Sequence, residues 1–243
     1  MQSVGLRQQL KEATASKHEQ LERDVAAMGF FSSLSAYCQY LQRLLPLHFN
    51  AEQLLNDYGA RTVIPDWPQR LKAQALLTDL ASVAGVLEPP HTMEMPGPAR
   101  ADRWKHPVVE VSHNSAMLAR LAGRGSASTL LPAKITRPEH VLGIAYVIEG
   151  STLGGARLLQ LAAVWGITPE RGGSFLASYG SARGRMWNAF VATLERWNKP
   201  PLDCKLVVEY ALRTFDATRV YLTGEPGLVE LPVDERRPAA TTS

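Results

Sequence analysis

Apolar residues recur along this chain at three- and four-residue steps, and no segment alternates apolar with polar positions between turn signals. That periodicity belongs to helices and leaves no candidate strand. Leu6, Leu10, Thr14, Leu21, Val25 and Met28 fall on one face of a first helix over 4–28, which Gly29 closes. A second helix is expected over 33–58, kinked at Pro46 and stopped by Gly59. A third covers 69–86, after Pro68. Residues 88–98 hold four prolines and no periodicity, and read as a connector. Helical pattern resumes near Pro107, then over 137–165, 170–197 and 203–222. The expectation is an all-α, single domain of about seven helices over 1–224, followed by a flexible tail over 225–243.

Composition narrows the function classes. With 243 residues, 45% of them hydrophobic, the chain can bury a full core, which excludes disorder as its main state. Twenty-six Lys and Arg against 23 Asp and Glu leave +3, with no long basic run, so no nucleic-acid partner is expected. The most apolar stretch, 141–167, is broken by Glu149, Arg157 and several glycines. A membrane-spanning helix wants about 20 predominantly apolar residues, so no membrane partner is expected either. The polar N-terminus does not resemble a signal peptide, and a cytoplasmic protein is the expectation. Cys38 and Cys204, each among apolar neighbours, read as reduced, buried thiols. No GxGxxG or Walker-type loop follows a strand pattern.

Three constellations carry candidate chemistry. His18 keeps step with Thr14, Leu21 and Val25, with Glu22 one turn further on. Two readings fit: a core histidine satisfied by a neighbour, or a metal ligand whose second imidazole nitrogen is held by the carboxylate. Lys11 lies two turns earlier, roughly 10 Å along the axis, where a cation could meet the acidic edge of a large ligand. Glu22 and Lys11 also fit a solvated helix face. The second constellation is Tyr146-Val-Ile-Glu-Gly-Ser-Thr-Leu-Gly-Gly-Ala156, where Gly150, Gly154 and Gly155 sit inside a helical pattern. Each glycine costs about 1 kcal/mol relative to alanine there. Close helix–helix packing accounts for them, since Gly150 and Gly154 are spaced GxxxG. So does direct approach of bare backbone to a flat ligand. In the third, Tyr179, Met186, Trp187 and Phe190 fit ordinary core, and Arg183 and Arg185 fit solvent or a ligand carboxylate. A histidine helix facing a glycine helix makes a sandwich, and heme is the flat metal complex that fits it.

The segment Leu10-Lys-Glu-Ala-Thr-Ala-Ser-Lys-His-Glu-Gln-Leu-Glu22 resembles the proximal helix of heme oxygenases. Residues 146–155 resemble their distal helix in its bacterial Glu-Gly-Ser-Thr-Leu-Gly-Gly form. The Tyr179-Gly180, Trp187, Phe190 pattern is similar to the biliverdin-producing enzymes that accompany bacteriophytochromes. These matches cover less than half of the chain, in the family's order. The resemblance implies an all-α heme oxygenase-like fold, with heme between a proximal and a glycine-rich distal helix. It implies heme as substrate and cofactor, with iron ligated by His18. Heme contacts follow at Lys11, Thr14, Glu22, Tyr146, Arg183, Arg185 and Phe190. Gly150, Ser151, Gly154 and Gly155 take the catalytic distal positions. Mammalian-type enzymes carry an aspartate directly after the first distal glycine, whereas this chain, like bacterial relatives, has Ser151. The implied reaction uses dioxygen and an external electron donor, such as ferredoxin or another reductant, to give biliverdin, carbon monoxide and iron. A functional link to a bacteriophytochrome follows. Competing readings are a heme-binding sensor or carrier without turnover, and a thiaminase-like relative acting on another ligand through a cysteine. A purely structural bundle would leave the glycines explained by packing alone.

Overall fold

The computed structural model describes residues 4–87, 131, 132 and 134–224. Among them are seven α-helices: α1 (Leu6–Ala27), α2 (Leu34–Tyr58), α3 (Ala73–Leu87), α4 (Pro138–Ala163), α5 (Ser174–Ala177), α6 (Arg183–Trp197) and α7 (Cys204–Thr223). Three short 3-10 turns complete the helical content, and no strand occurs among the described residues. The all-α expectation therefore holds. The connector at 88–98, the helix near Pro107 and the tail lie outside the described residues.

Helix α7 is the centre: α1, α2 and α4 all pack on it. Its contact with α4 is tight because Gly143 has no side chain. A Cβ there would come within 2.5 Å of the Val207 carbonyl oxygen. Leu142, Ile144, Ala145, Val207 and Ala211 are fully buried in that contact region. Two ion pairs tie α1 to α7, Lys17 to Asp216 at 2.5 Å and Arg219 to Asp24 at 2.6 Å.

Local signals set some boundaries. Ser33 caps α2 by accepting the Ala36 amide at 3.0 Å, and Asp203 caps α7 by accepting the Lys205 and Leu206 amides. Gly59 closes α2 at φ +79°, a left-handed conformation suited to glycine. Helix α2 runs through Pro46 as a single element.

Other boundaries are set from a distance. Glu195 of α6 accepts the Leu6 and Arg7 amides at 3.1 and 2.9 Å, capping α1. Glu52 of α2 accepts the Lys72 and Ala73 amides at the start of α3. Asp79 of α3 accepts the Ser174 and Phe175 amides at α5. Each carboxylate satisfies donors that a helix start leaves orphaned.

Two expectations are corrected. The third helix begins at Ala73, because 67–70 is a 3-10 turn and Glu52 supplies the cap four residues later than the sequence suggests. The expected helix over 170–197 is broken. Gly172, at φ +72°, and Gly173 are squeezed against Val83 and Leu159, and Ser178 and Gly180 also take positive φ. Only α5 and α6 remain helical there, separated by a turn. The buried-thiol reading holds for Cys38, whereas Cys204 is half-buried with its Sγ 3.4 Å from Asn198 Oδ1.

Candidate functional site

Helix α1 places His18 at the surface, its side chain 60% exposed. The ring stands edge-on to Phe215 of α7, centroids 6.2 Å apart. Exposure rules out the core-histidine reading, since no buried neighbour satisfies it. Nδ1 lies 3.8 Å from Glu22 Oε1, close enough for attraction and longer than a hydrogen bond. The i+4 spacing brings the carboxylate to the Nδ1 side of the ring without a hydrogen bond between them.

Thr14, one turn back, is buried and returns its hydroxyl to the Leu10 carbonyl at 2.8 Å. Across from it stands Tyr146 of α4. Burial pushes the Tyr146 phenol up, while Thr14 and Arg7 pull it back. Lys11 is exposed between Arg7 and Thr14 in the sequence of α1.

The glycines of α4 separate into two kinds. A Cβ at Gly150 or Gly154 would meet nothing within 4 Å among the described residues. Their GxxxG spacing is therefore not a helix-packing seam here, and the bare backbone faces open space. Gly155 is different: a Cβ there would collide with the Leu176 carbonyl oxygen of α5. That glycine therefore allows close packing of α4 on α5. Gly150→Ala should raise apo stability by up to about 1 kcal/mol, because alanine is the better helix former. Gly155→Ala should lower it by about 1–3 kcal/mol through overpacking. Melting curves of the two apo variants check this, and opposite signs are expected.

Ser151 is exposed and turns its hydroxyl back to the Ile148 carbonyl at 2.7 Å. Arg183 donates to the Leu176 and Ala177 carbonyls, closing α5, so its guanidinium is engaged internally. Arg185 is exposed. Phe190 has no exposed surface and packs beneath Arg70 and Trp187. Trp187 sits between Phe190 and Tyr146, with centroids 5.9 and 6.0 Å away.

Sequence reasoning missed a buried ionic cluster behind the glycine turn. Arg70 is wholly buried. It grips both oxygens of Asp66, pairs with Glu149, and donates to the Met186 carbonyl at 3.1 Å. Burial works against the Arg70 charge, and Asp66 and Glu149 outweigh it, raising its pKa. Lys72 Nζ donates to the Tyr179 hydroxyl and to the Arg70 carbonyl, both at 2.7 Å. The Tyr179 hydroxyl donates to Glu149, 2.9 and 3.0 Å from its two oxygens. Burial lowers the Lys72 amine to about 8, with Glu149 and Glu52 opposing the fall. Burial and then the Glu149 charge push the Tyr179 phenol strongly upward, so it stays a neutral donor. The signal available in the sequence was Glu149 itself, one carboxylate inside an otherwise apolar run. Such a group needs a buried partner.

Residues 126–223 match the family model for heme oxygenase. No curated protein gave a significant match. Among solved structures the chain is similar to the NO- and CO-bound heme oxygenase from Neisseria meningitidis, at 21% identity and a TM-score of 0.66, covering 90% of this chain and 91% of that one. It is similar to heme oxygenase from Leptospira interrogans at 17% identity and a TM-score of 0.61, covering 90% and 99%. Heme oxygenase 2 from Chlamydomonas reinhardtii, solved without heme, aligns at 15% identity and a TM-score of 0.60, covering 92% and 98%. Residues 126–223 thus carry the sequence pattern of the heme oxygenase family, and the chain shares the all-α fold of these solved heme oxygenases.

Proposed function

We propose that this protein opens the heme ring with dioxygen and electrons from an external donor such as ferredoxin, giving biliverdin, carbon monoxide and iron. The observation that carries this reading is the open backbone at Gly150 and Gly154 on α4, together with an exposed imidazole on α1. The His18 imidazole would hold the iron of a flat macrocycle, and the Gly150 and Gly154 backbone would lie against its ring, so these residues fit heme. Bound heme supplies the iron that handles dioxygen and is itself the substrate.

The chain's own residues have separate tasks. His18 offers Nε2 to the iron, and Glu22 holds the ring's other nitrogen, fixing tautomer and orientation. Neutral imidazole suits this role, whereas a thiolate would push toward O–O cleavage. Lys11 and Arg185, both exposed, meet the propionate edge as point and fork cations. Tyr146, half-buried beside Thr14, lines the same end. The Gly150–Gly154 backbone would offer heme a face free of side chains and so limit how the ring can sit against α4. A bilin product suits a bacteriophytochrome partner.

Hemin added to the purified protein, followed optically under air with a ferredoxin reducing system, tests the reading. Formation of a histidine-ligated complex and then of biliverdin is expected. A stable heme complex that survives the reductant would identify a sensor or carrier instead. A thiaminase-like chemistry at Cys38 is disfavoured, because that thiol is buried and burial pushes its pKa up.

Glu22→Gln should keep heme binding but weaken it or slow turnover by about 10–100-fold, since loss of a carboxylate partner lowers ligand basicity. The iron–histidine stretching frequency of the ferrous complex is the check, and it should fall.

A further inference from the structure

The glycine turn of α4 is weak as a helix. Gly150 has no side chain to pack, and the next two residues bend their hydroxyls back onto the ladder. Ser151 bonds the Ile148 carbonyl and Thr152 bonds the Glu149 carbonyl, each at 2.7 Å. Such back-bonding competes with the backbone ladder and bends helices. A segment like this does not hold a fixed face by itself.

Directly before Gly150 stands Glu149, 1% exposed. Its carboxylate is held by Arg70 from the turn before α3, and by Tyr179 from the turn between α5 and α6. Lys72 backs the same phenol. The turn that delivers Tyr179 is itself constrained. Ser178, at φ +37°, is the one non-glycine residue with positive φ among the described residues, and its buried hydroxyl has no partner there. Backbone held in such a region persists where surrounding contacts over-determine it, and it clusters at sites where geometry matters. Helix α6 starts four residues after Tyr179 and carries Arg185 and Trp187, the latter against Tyr146.

From these contacts we infer that Tyr179 is a positioning residue: its phenol locks Glu149, and with it the Gly150 turn, in register with α6. This hydroxyl couples the two walls of the ligand site, the glycine face and the arginine-bearing helix, alongside Arg70, which joins Glu149 to the Met186 carbonyl of α6. The inference rests on the heme reading for its consequence in catalysis, and on geometry alone for its mechanical part.

Tyr179→Phe keeps the ring and removes the bond. Tyr37→Phe is the control, since Tyr37 also buries a ring and donates one hydrogen bond, at 2.7 Å to the Gly172 carbonyl, far from Glu149 in sequence. Amide hydrogen exchange of the apo protein reads the mechanical part. In Tyr179→Phe, protection over 150–155 should fall about tenfold, the size expected for one lost hydrogen bond, while α2 stays unchanged. Tyr37→Phe should not move 150–155. In the hemin complex, Tyr179→Phe should also shift the ferric acid–alkaline transition and broaden the biliverdin isomer distribution. Unchanged exchange over 150–155, or an equal effect from Tyr37→Phe, overturns the inference. If wild-type protein does not degrade hemin, the proposed function fails while the exchange measurement still decides the clamp. Altered exchange with an unchanged isomer pattern would overturn the catalytic consequence.

Discussion

His18→Ala is expected to remove the histidine-ligated hemin spectrum and stop biliverdin formation. Among the described residues, one imidazole, on α1, stands exposed beside Phe215 with a carboxylate next to its Nδ1. On the proposed reading, its removal would take away the iron's nitrogen ligand and leave the Glu22 carboxylate with nothing to orient. The apo protein should melt almost as wild type, because the side chain is 60% exposed and surface substitutions usually stay within about ±0.5 kcal/mol. Loss of function without loss of fold is thus the expected pattern. Optical titration with hemin, before and after imidazole is added to supply the missing ligand, checks it. An unchanged Soret band and unchanged turnover would remove His18 from the site.

Arg70→Ala should have the largest effect on stability, about 3–5 kcal/mol, the usual cost of stranding one member of a buried ion pair. Glu149 would remain in the core without its main countercharge, and Asp66 would lose both bonds from the guanidinium. Lys72 cannot take over, since its Nζ is 4.0 Å from Glu149 and already bonded to Tyr179 and the Arg70 carbonyl. Denaturant midpoints for Arg70→Ala and for the double variant Arg70→Met/Glu149→Leu separate pairing from packing. The double variant should recover much of the loss, because apolar replacement of both partners removes the buried charge as well.

Much of this was legible from local pattern. The spacing of Leu6, Leu10 and Thr14 located α1, and the helical pattern over 137–165 located α4. His18, Gly150 and Gly154 could be singled out because a glycine inside a helix and a histidine with a carboxylate at i+4 are local anomalies. What escaped is tertiary. The start of α3 depends on Glu52, and the break before α6 depends on backbone squeezed against Val83 and Leu159. Gly155 looked like Gly154 because spacing does not reveal that the Leu176 carbonyl lies against one and open space against the other. Phe190 and Arg183 were assigned to a ligand by their place in a pattern, while packing and the α5 carbonyls already occupy them. The Arg70–Glu149 pair joins residues 79 positions apart, beyond the reach of any periodicity.

The carboxylate that caps α1 also sets a clock on synthesis. Glu195 follows Arg7 by 188 residues, so the first helix leaves the ribosome long before its N-terminal amides meet their acceptor. At about 5–20 residues per second, that interval is roughly 10–40 s. The anchors of α1 on α7, Asp216 and Arg219, emerge later still. The nascent chain therefore carries His18 on a helix with neither end tied down, and its geometry is completed only as the final helices dock.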